Sequence, residues 1–134
     1  MGTWTIDETT TPGIVRVKID GVISLQEVRE LSMSFMAAVD RLQGTPFRVF
    51  ADLRTLVPLS PEVTHEFEIV KSRTAARSNF QGSAVLTASS VVAMQHRRTS
   101  QSSGVLDTEL ISDDEAACWQ HLQTISRPGR LTRH

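Results

Sequence analysis

Two short stretches of the chain gather residue types that could recognise or carry a charged group. His96-Arg97-Arg98-Thr99-Ser100 is the densest polar cluster. Within it His96, Arg97, Arg98 and Ser100 offer an imidazole, two guanidiniums and a hydroxyl, a set that could hold an anion or meet an acidic partner. Positive charge is also favourable at the C-terminal end of any helix, so the cluster reads more simply as a solvated helix terminus. The second stretch contributes Asp52, Arg54, Ser60 and Glu62. A carboxylate, a guanidinium and a hydroxyl close to a strand end and the following helix start could dock a partner or accept a phosphate. Ser60-Pro61-Glu62 also accounts for itself as a helix cap, a first-turn proline and an acid at the positive helix end.

Other chemistries lack their residues. His65, His96, His121 and His134 fall on separate elements, and no two have the spacing of a helical zinc pair. Cys118 and His121 could share a helix face, but two ligands do not make a metal site. His65-Glu66 is half of a zinc-protease signature, with Ile69 where the second histidine is required. The glycines are scattered singly, so no phosphate-cradling loop is present, and no serine has the glycine flanks of a nucleophile elbow. No metal, no cofactor and no catalytic residue is expected, and the chain reads as a non-enzyme.

The elements that must position these residues are legible from periodicity. The axis is the stretch from Phe47 to Asn79: a strand over 47–53 with apolar residues on both faces, a loop over 54–59, and a helix announced by Ser60 with inner stripe Val63, Phe67, Val70 and Thr74. Ahead of it, residues 4–6 and 14–19 alternate apolar and polar around a turn at 7–13, which predicts a hairpin near a sheet edge. Ser24-Leu25-Gln26-Glu27 is a capping box opening a helix with Val28, Leu31, Phe35, Val39 and Leu42 on one stripe. Beyond the axis come a buried strand over 83–88 and a half-exposed helix over 91–103. A wet-faced edge strand follows over 106–110, with Leu106, Thr108 and Leu110 inward and Asp107 and Glu109 outward. A last helix spans 114–125. Such alternation predicts an α/β fold, an open sandwich with an N-terminal hairpin, a mostly parallel five-stranded mixed sheet and about four helices. A single domain is expected over 1–125, with a flexible basic tail over 126–134.

Bulk properties narrow the setting. At 134 residues, 40% hydrophobic and 22% charged, the chain is an ordinary globular domain, large enough to bury a core without staples. A formal net charge of -1 gives no long-range pull toward nucleic acid or membrane, and neither is an expected partner. One cysteine and no apparent signal segment point to the cytoplasm.

The order of elements, the strand ending Ala51-Asp52-Leu53-Arg54, and the ending from Glu109-Leu110-Ile111-Ser112-Asp113-Asp114 to Trp119 together resemble the STAS family. That family comprises the sulfate-transporter and anti-sigma-factor-antagonist domains, with relatives grouped among Sec14-like lipid-transfer folds. The resemblance covers the chain from about Trp4 to Leu122 and implies a regulatory protein-interaction domain. It implies a protein partner of unidentified kind, such as a kinase-type regulator, or a second copy in a homodimer. The Sec14-like side implies instead a carrier of a lipid or acyl ligand. Antagonists of this family carry a phosphorylatable serine in an Asp-Ser-x-Gly motif after the central strand. The matching region here reads Leu56-Val57-Pro58-Leu59-Ser60-Pro61-Glu62-Val63, with Ser60 the hydroxyl near that place and neither the Asp nor the Gly beside it.

Overall fold

In the computed structural model, which describes residues 2–126, a five-stranded sheet runs in the order of the sequence. Strands β1 (Thr3–Asp7) and β2 (Ile14–Asp20) form an antiparallel hairpin, and β3 (Phe47–Asp52), β4 (Phe80–Leu86) and β5 (Glu109–Ser112) follow parallel to β2. Helices α1 (Leu25–Arg41), α2 (Pro61–Ala75) and α3 (Ser90–Ser103) connect the parallel strands, and α4 (Glu115–Thr124) closes the described chain. The α/β fold with its hairpin, five-stranded mixed sheet and four helices is the one that the alternation predicts. The tail expected over 126–134 lies, from Arg127 on, outside the described residues.

Each crossover steps the same way along the sheet, so right-handed connections place α1, α2 and α3 on one face. The core follows that division. Val15, Val17 and Ile19 of β2 pack with Val28, Leu31, Phe35, Val63, Phe67 and Val92 of the three helices. The opposite face holds a smaller cluster, Phe50, Ala84 and Leu86 against Cys118 and Leu122 of α4. Phe50 stacks on Trp119 with ring centroids 4.4 Å apart, and the Arg16 guanidinium lies 5.3 Å from the same ring. Burial on both faces explains why β4 is buried along its whole length. It also pushes the Cys118 thiol up to about 11, a value at which it stays protonated and serves as a small apolar side chain.

The helix starts form as their sequences dictate. The Ser24 hydroxyl accepts from the Glu27 amide at 3.1 Å while the Glu27 carboxylate accepts from the Ser24 amide at 2.8 Å, closing both arms of the capping box. Ser89 and Asp114 cap α3 and α4 with one arm only, their side-chain oxygens accepting from the Val92 amide and from the Ala116 amide. The last two strands depart most from the periodicity. Strand β4 begins at Phe80 rather than at residue 83. The last strand is not 106–110: Leu106–Thr108 is a 3-10 turn, held by the Thr108 amide on the Val105 carbonyl at 3.1 Å, and the strand proper is Glu109–Ser112. That shift turns Glu109 inward. Register places Val15, Val49, Ser83 and Glu109 in one row across the sheet, on the face that α1–α3 cover.

Candidate functional site

The carboxyl ends of the parallel strands carry the second group of sequence-marked residues. Asp52 ends β3, and its carboxylate accepts from the Arg54 amide at 3.2 Å and from the Arg54 guanidinium at 3.0 and 2.8 Å. Arg54 also lies 3.6 Å from Glu115 in the first turn of α4. The pair therefore ties the end of β3 to α4, and those hydrogen bonds hold the Asp52 carboxyl below the usual carboxylate range. A value depressed on folding contributes stability that is complete above the ordinary carboxylate pKa of 3.8 and is lost as pH falls through the lowered one. Urea midpoints taken from about pH 5 to about pH 3 should thus fall less steeply for Asp52→Asn than for wild type.

The loop between Asp52 and Ser60 is pinned at both ends. The Gly21 amide donates to the Thr55 carbonyl at 3.1 Å and the Val57 amide to the Gly21 carbonyl at 2.9 Å, joining the loop to the end of β2. The Thr55 hydroxyl adds a bond to the Asp20 carboxylate. On the other side the Gln95 carboxamide of α3 both accepts from the Leu59 amide and donates to the Leu59 carbonyl, each at 2.9 Å. Ser60 follows. Its hydroxyl accepts from the Val63 amide at 3.3 Å, so it caps α2 as Ser-Pro-Glu implies, while the residue itself stays exposed. Glu62 is exposed in the first turn of that helix. Asp52 and Arg54 are thus brought together, whereas Ser60 and Glu62 stand apart from them at the head of α2.

The His96 cluster divides. Helical geometry turns His96 and Ser100 inward, both buried, and leaves Arg97 and Arg98 exposed on the other side. The four do not converge on one anion site. Ser100 instead joins an internal network. The Lys71 ammonium of α2 donates to the Ser100 hydroxyl at 2.7 Å and to the His96 carbonyl at 3.2 Å, and lies 3.4 Å from the Glu109 carboxylate. Ser100 in turn donates to Glu109, and the Ser83 hydroxyl approaches the same carboxylate at 3.4 Å. Burial pushes the Lys71 amine down, opposed by Glu109. The pair is hidden in the sequence because a lysine near a helix end suits the helix dipole and the alternation over 106–110 puts Glu109 on the wet side of a strand. One signal was present: Lys71 stands four residues after Phe67 and three before Thr74, on the inner stripe of α2 itself.

Beside the network lies a cavity of about 90 Å³ between the sheet and helices α1–α3, lined largely by apolar side chains. His96 and Ser32 also line it, and among the described residues neither His96 ring nitrogen nor the Ser32 hydroxyl has a hydrogen-bond partner.

The surface of the strand-end region has its own pattern. Among the described residues, the large apolar side chains left exposed are Val22, Met33, Val57, Val91 and Met94. Val22 follows β2, Val57 lies in the loop after β3, and Val91 and Met94 occupy the first turns of α3 after β4. Four of the five therefore sit at one end of the sheet, next to Ser60, with Met33 alone elsewhere on α1. The parallel strands run in unreversed order, so this end has no topological switch point and no crevice of the dinucleotide-binding kind. It is a surface.

Neither a family profile nor a curated protein sequence matches the chain. Solved structures do. An anti-sigma factor antagonist from Mycobacterium paratuberculosis aligns with a TM-score of 0.63 at 14% identity, covering 92% of this chain and 96% of that one. An uncharacterised protein with a SpoIIAA-like fold from Shewanella loihica aligns with a TM-score of 0.61 at 12% identity, covering 90% and 93%. At such identities the likeness is one of fold, and it is the STAS-type fold that the sequence resembles.

Proposed function

We propose that the protein is a non-enzymatic, cytoplasmic regulatory domain of STAS type that docks a protein partner, or a second copy of itself, through the strand-end loops and the start of α2. The observation that carries this reading is the gathering of Val22, Val57, Val91 and Met94 at the carboxyl ends of the strands. Exposed apolar side chains grouped on a soluble surface mark interaction sites, whereas singly scattered ones do not. The rigid pinning of the intervening loop by Gly21 and Gln95 supports it, because a pre-ordered surface loses less entropy on docking. The resemblance of the sequence to the STAS family suggests the kind of partner, a kinase-type regulator, and the fold shared with an anti-sigma factor antagonist is in keeping with a protein partner. Ser60 is the candidate phosphorylation site of that interaction. A phosphate there would meet the positive end of α2 and, two residues on, the repelling negative charge of Glu62.

Affinity capture from the native cell tests the reading. Wild-type protein should retain a discrete partner, or sediment as a dimer, and Val57→Asp and Met94→Asp should each abolish that association. Ser60→Asp and Arg54→Ala should weaken it while leaving the fold intact by circular dichroism. Unchanged association in all four variants would remove this face from the account.

A further inference from the structure

The internal cavity combines three features that a packing defect does not bring together. Its volume, about 90 Å³, has room for several water molecules or for a small organic molecule. Its walls are almost wholly apolar, Phe35 and Phe67 of the helices facing Val49 and Val85 of the sheet. Into it turns His96, 3% exposed, with both ring nitrogens lacking a hydrogen-bond partner and only an edge-on ring contact to Phe67, centroids 5.3 Å apart. The Ser32 hydroxyl presents a third unpartnered polar atom to the same space. Buried polar groups in native proteins are nearly always satisfied, so three orphaned atoms lining one cavity point to something that satisfies them.

The charge of the cavity restricts what that is. Lys71 and Glu109 at its edge neutralise one another, and Lys71 is engaged by Ser100 and the His96 carbonyl. Among the described residues no unpaired charge is left in the lining to receive an ion, and an ion entering this apolar space would lose its hydration without a counter-charge. Burial and the nearby Lys71 ammonium keep the His96 imidazole neutral. A neutral imidazole presents one donor and one acceptor.

We propose that this cavity is a binding site for a small neutral molecule whose head group both donates and accepts hydrogen bonds, a primary amide or an alcohol, carried on a short apolar body. His96 pairs with the head, Ser32 supplies a further donor or acceptor, and the body lies among the apolar side chains of α1, α2 and the sheet. The site is separate from the strand-end surface and does not depend on that surface docking a partner.

The test follows the imidazole resonances of His96 by NMR in the full-length protein, assigned by their absence in His96→Gln. Propionamide is titrated as the neutral probe, sodium propionate as a charged probe of the same shape, and xenon as an apolar one. Propionamide should shift the His96 signals saturably and bind at least about tenfold more tightly than propionate, the worth of about one hydrogen bond. His96→Leu should lose about tenfold in propionamide affinity while still taking up xenon, which also reports that the cavity and fold survive. His96→Gln, whose carboxamide again offers a donor and an acceptor, should recover part of the loss, read from backbone amide shifts. Equal propionamide affinity in wild type and His96→Leu would mean a mere apolar void and overturn the proposal. So would the absence of any saturable shift up to the solubility of the amide, which would leave the cavity to water.

Discussion

Glu109→Leu should destabilise the protein by about 3–5 kcal/mol, read as a fall in the urea midpoint without a change in slope. The Glu109 side chain is only 2% exposed and that of Lys71 13%, so the leucine would leave an ammonium in the interior with its counter-charge gone. Three groups converge on the Glu109 carboxylate: Lys71, Ser100 and Ser83. Removing it strands all of them at once. Lys71→Met alone should cost a similar amount, because the carboxylate is then the uncompensated charge. The double variant, Lys71→Met with Glu109→Leu, should recover most of either loss, since replacing a whole buried ion pair by apolar residues is often neutral or stabilising. A loss as large in the double variant as the sum of the single ones would show that the pair does not act as a unit. The pair lies between α2 and the edge strand β5, joined through Ser100 to α3, so its breakage should also loosen α3 in hydrogen exchange before the rest of the sheet.

The second large effect is expected at Gly82. Replacement by alanine should cost about 1–3 kcal/mol, with valine costing more. A Cβ at this position of β4 would stand 2.8 Å from the Thr108 carbonyl oxygen and 2.8 to 2.9 Å from the Ile125 side chain. Ile125 could turn aside, but the carbonyl belongs to the backbone of the 3-10 turn before β5 and already accepts contact from the His121 ring at 3.0 Å. Displacing it would disturb that bond, and moving Ile125 would disturb the Arg48 guanidinium that donates to the Ile125 carbonyl at 2.9 Å. The C-terminal end of α4 is therefore where the strain should appear. Amide exchange in Gly82→Ala should accelerate from His121 to Ile125 and leave α1 unchanged. Uniform acceleration across the chain would contradict this origin.

Glu109 and Gly82 both belong to the region where sequence reading went astray, and the reason is physical. Residues 106–110 alternate in a way that suits a one-sided edge strand, and the alternation assigns Glu109 to water. Alternation fixes two faces but does not say which residue begins the strand, and a three-residue 3-10 turn at Leu106–Thr108 reverses the assignment. A buried ion pair defeats hydrophobic patterning altogether, because charged residues read as surface wherever they stand. Where local chemistry decides structure, the reading holds. Both arms of the Ser24 capping box, the Ser60 cap and the two-sided burial of β3 follow from residue types within a few positions of one another. The strand-end residues fell between these cases. Asp52, Arg54 and Ser60 are visible in the sequence, but the exposed Val22, Val57, Val91 and Met94 come together only through the register of three strands.

A photo-activated crosslinking residue placed at Val57, at Met94 and, for comparison, at Met33 tests the central claim most directly. Val57, Met94 and Met33 are all well exposed, at 44%, 49% and 75%, so each should react freely with whatever lies against it. Irradiation in the native cell should give one discrete adduct, of the same mass, from Val57 and Met94 and none from Met33. Adducts from all three positions alike, or from Met33 alone, would contradict a docking surface at the carboxyl ends of the strands.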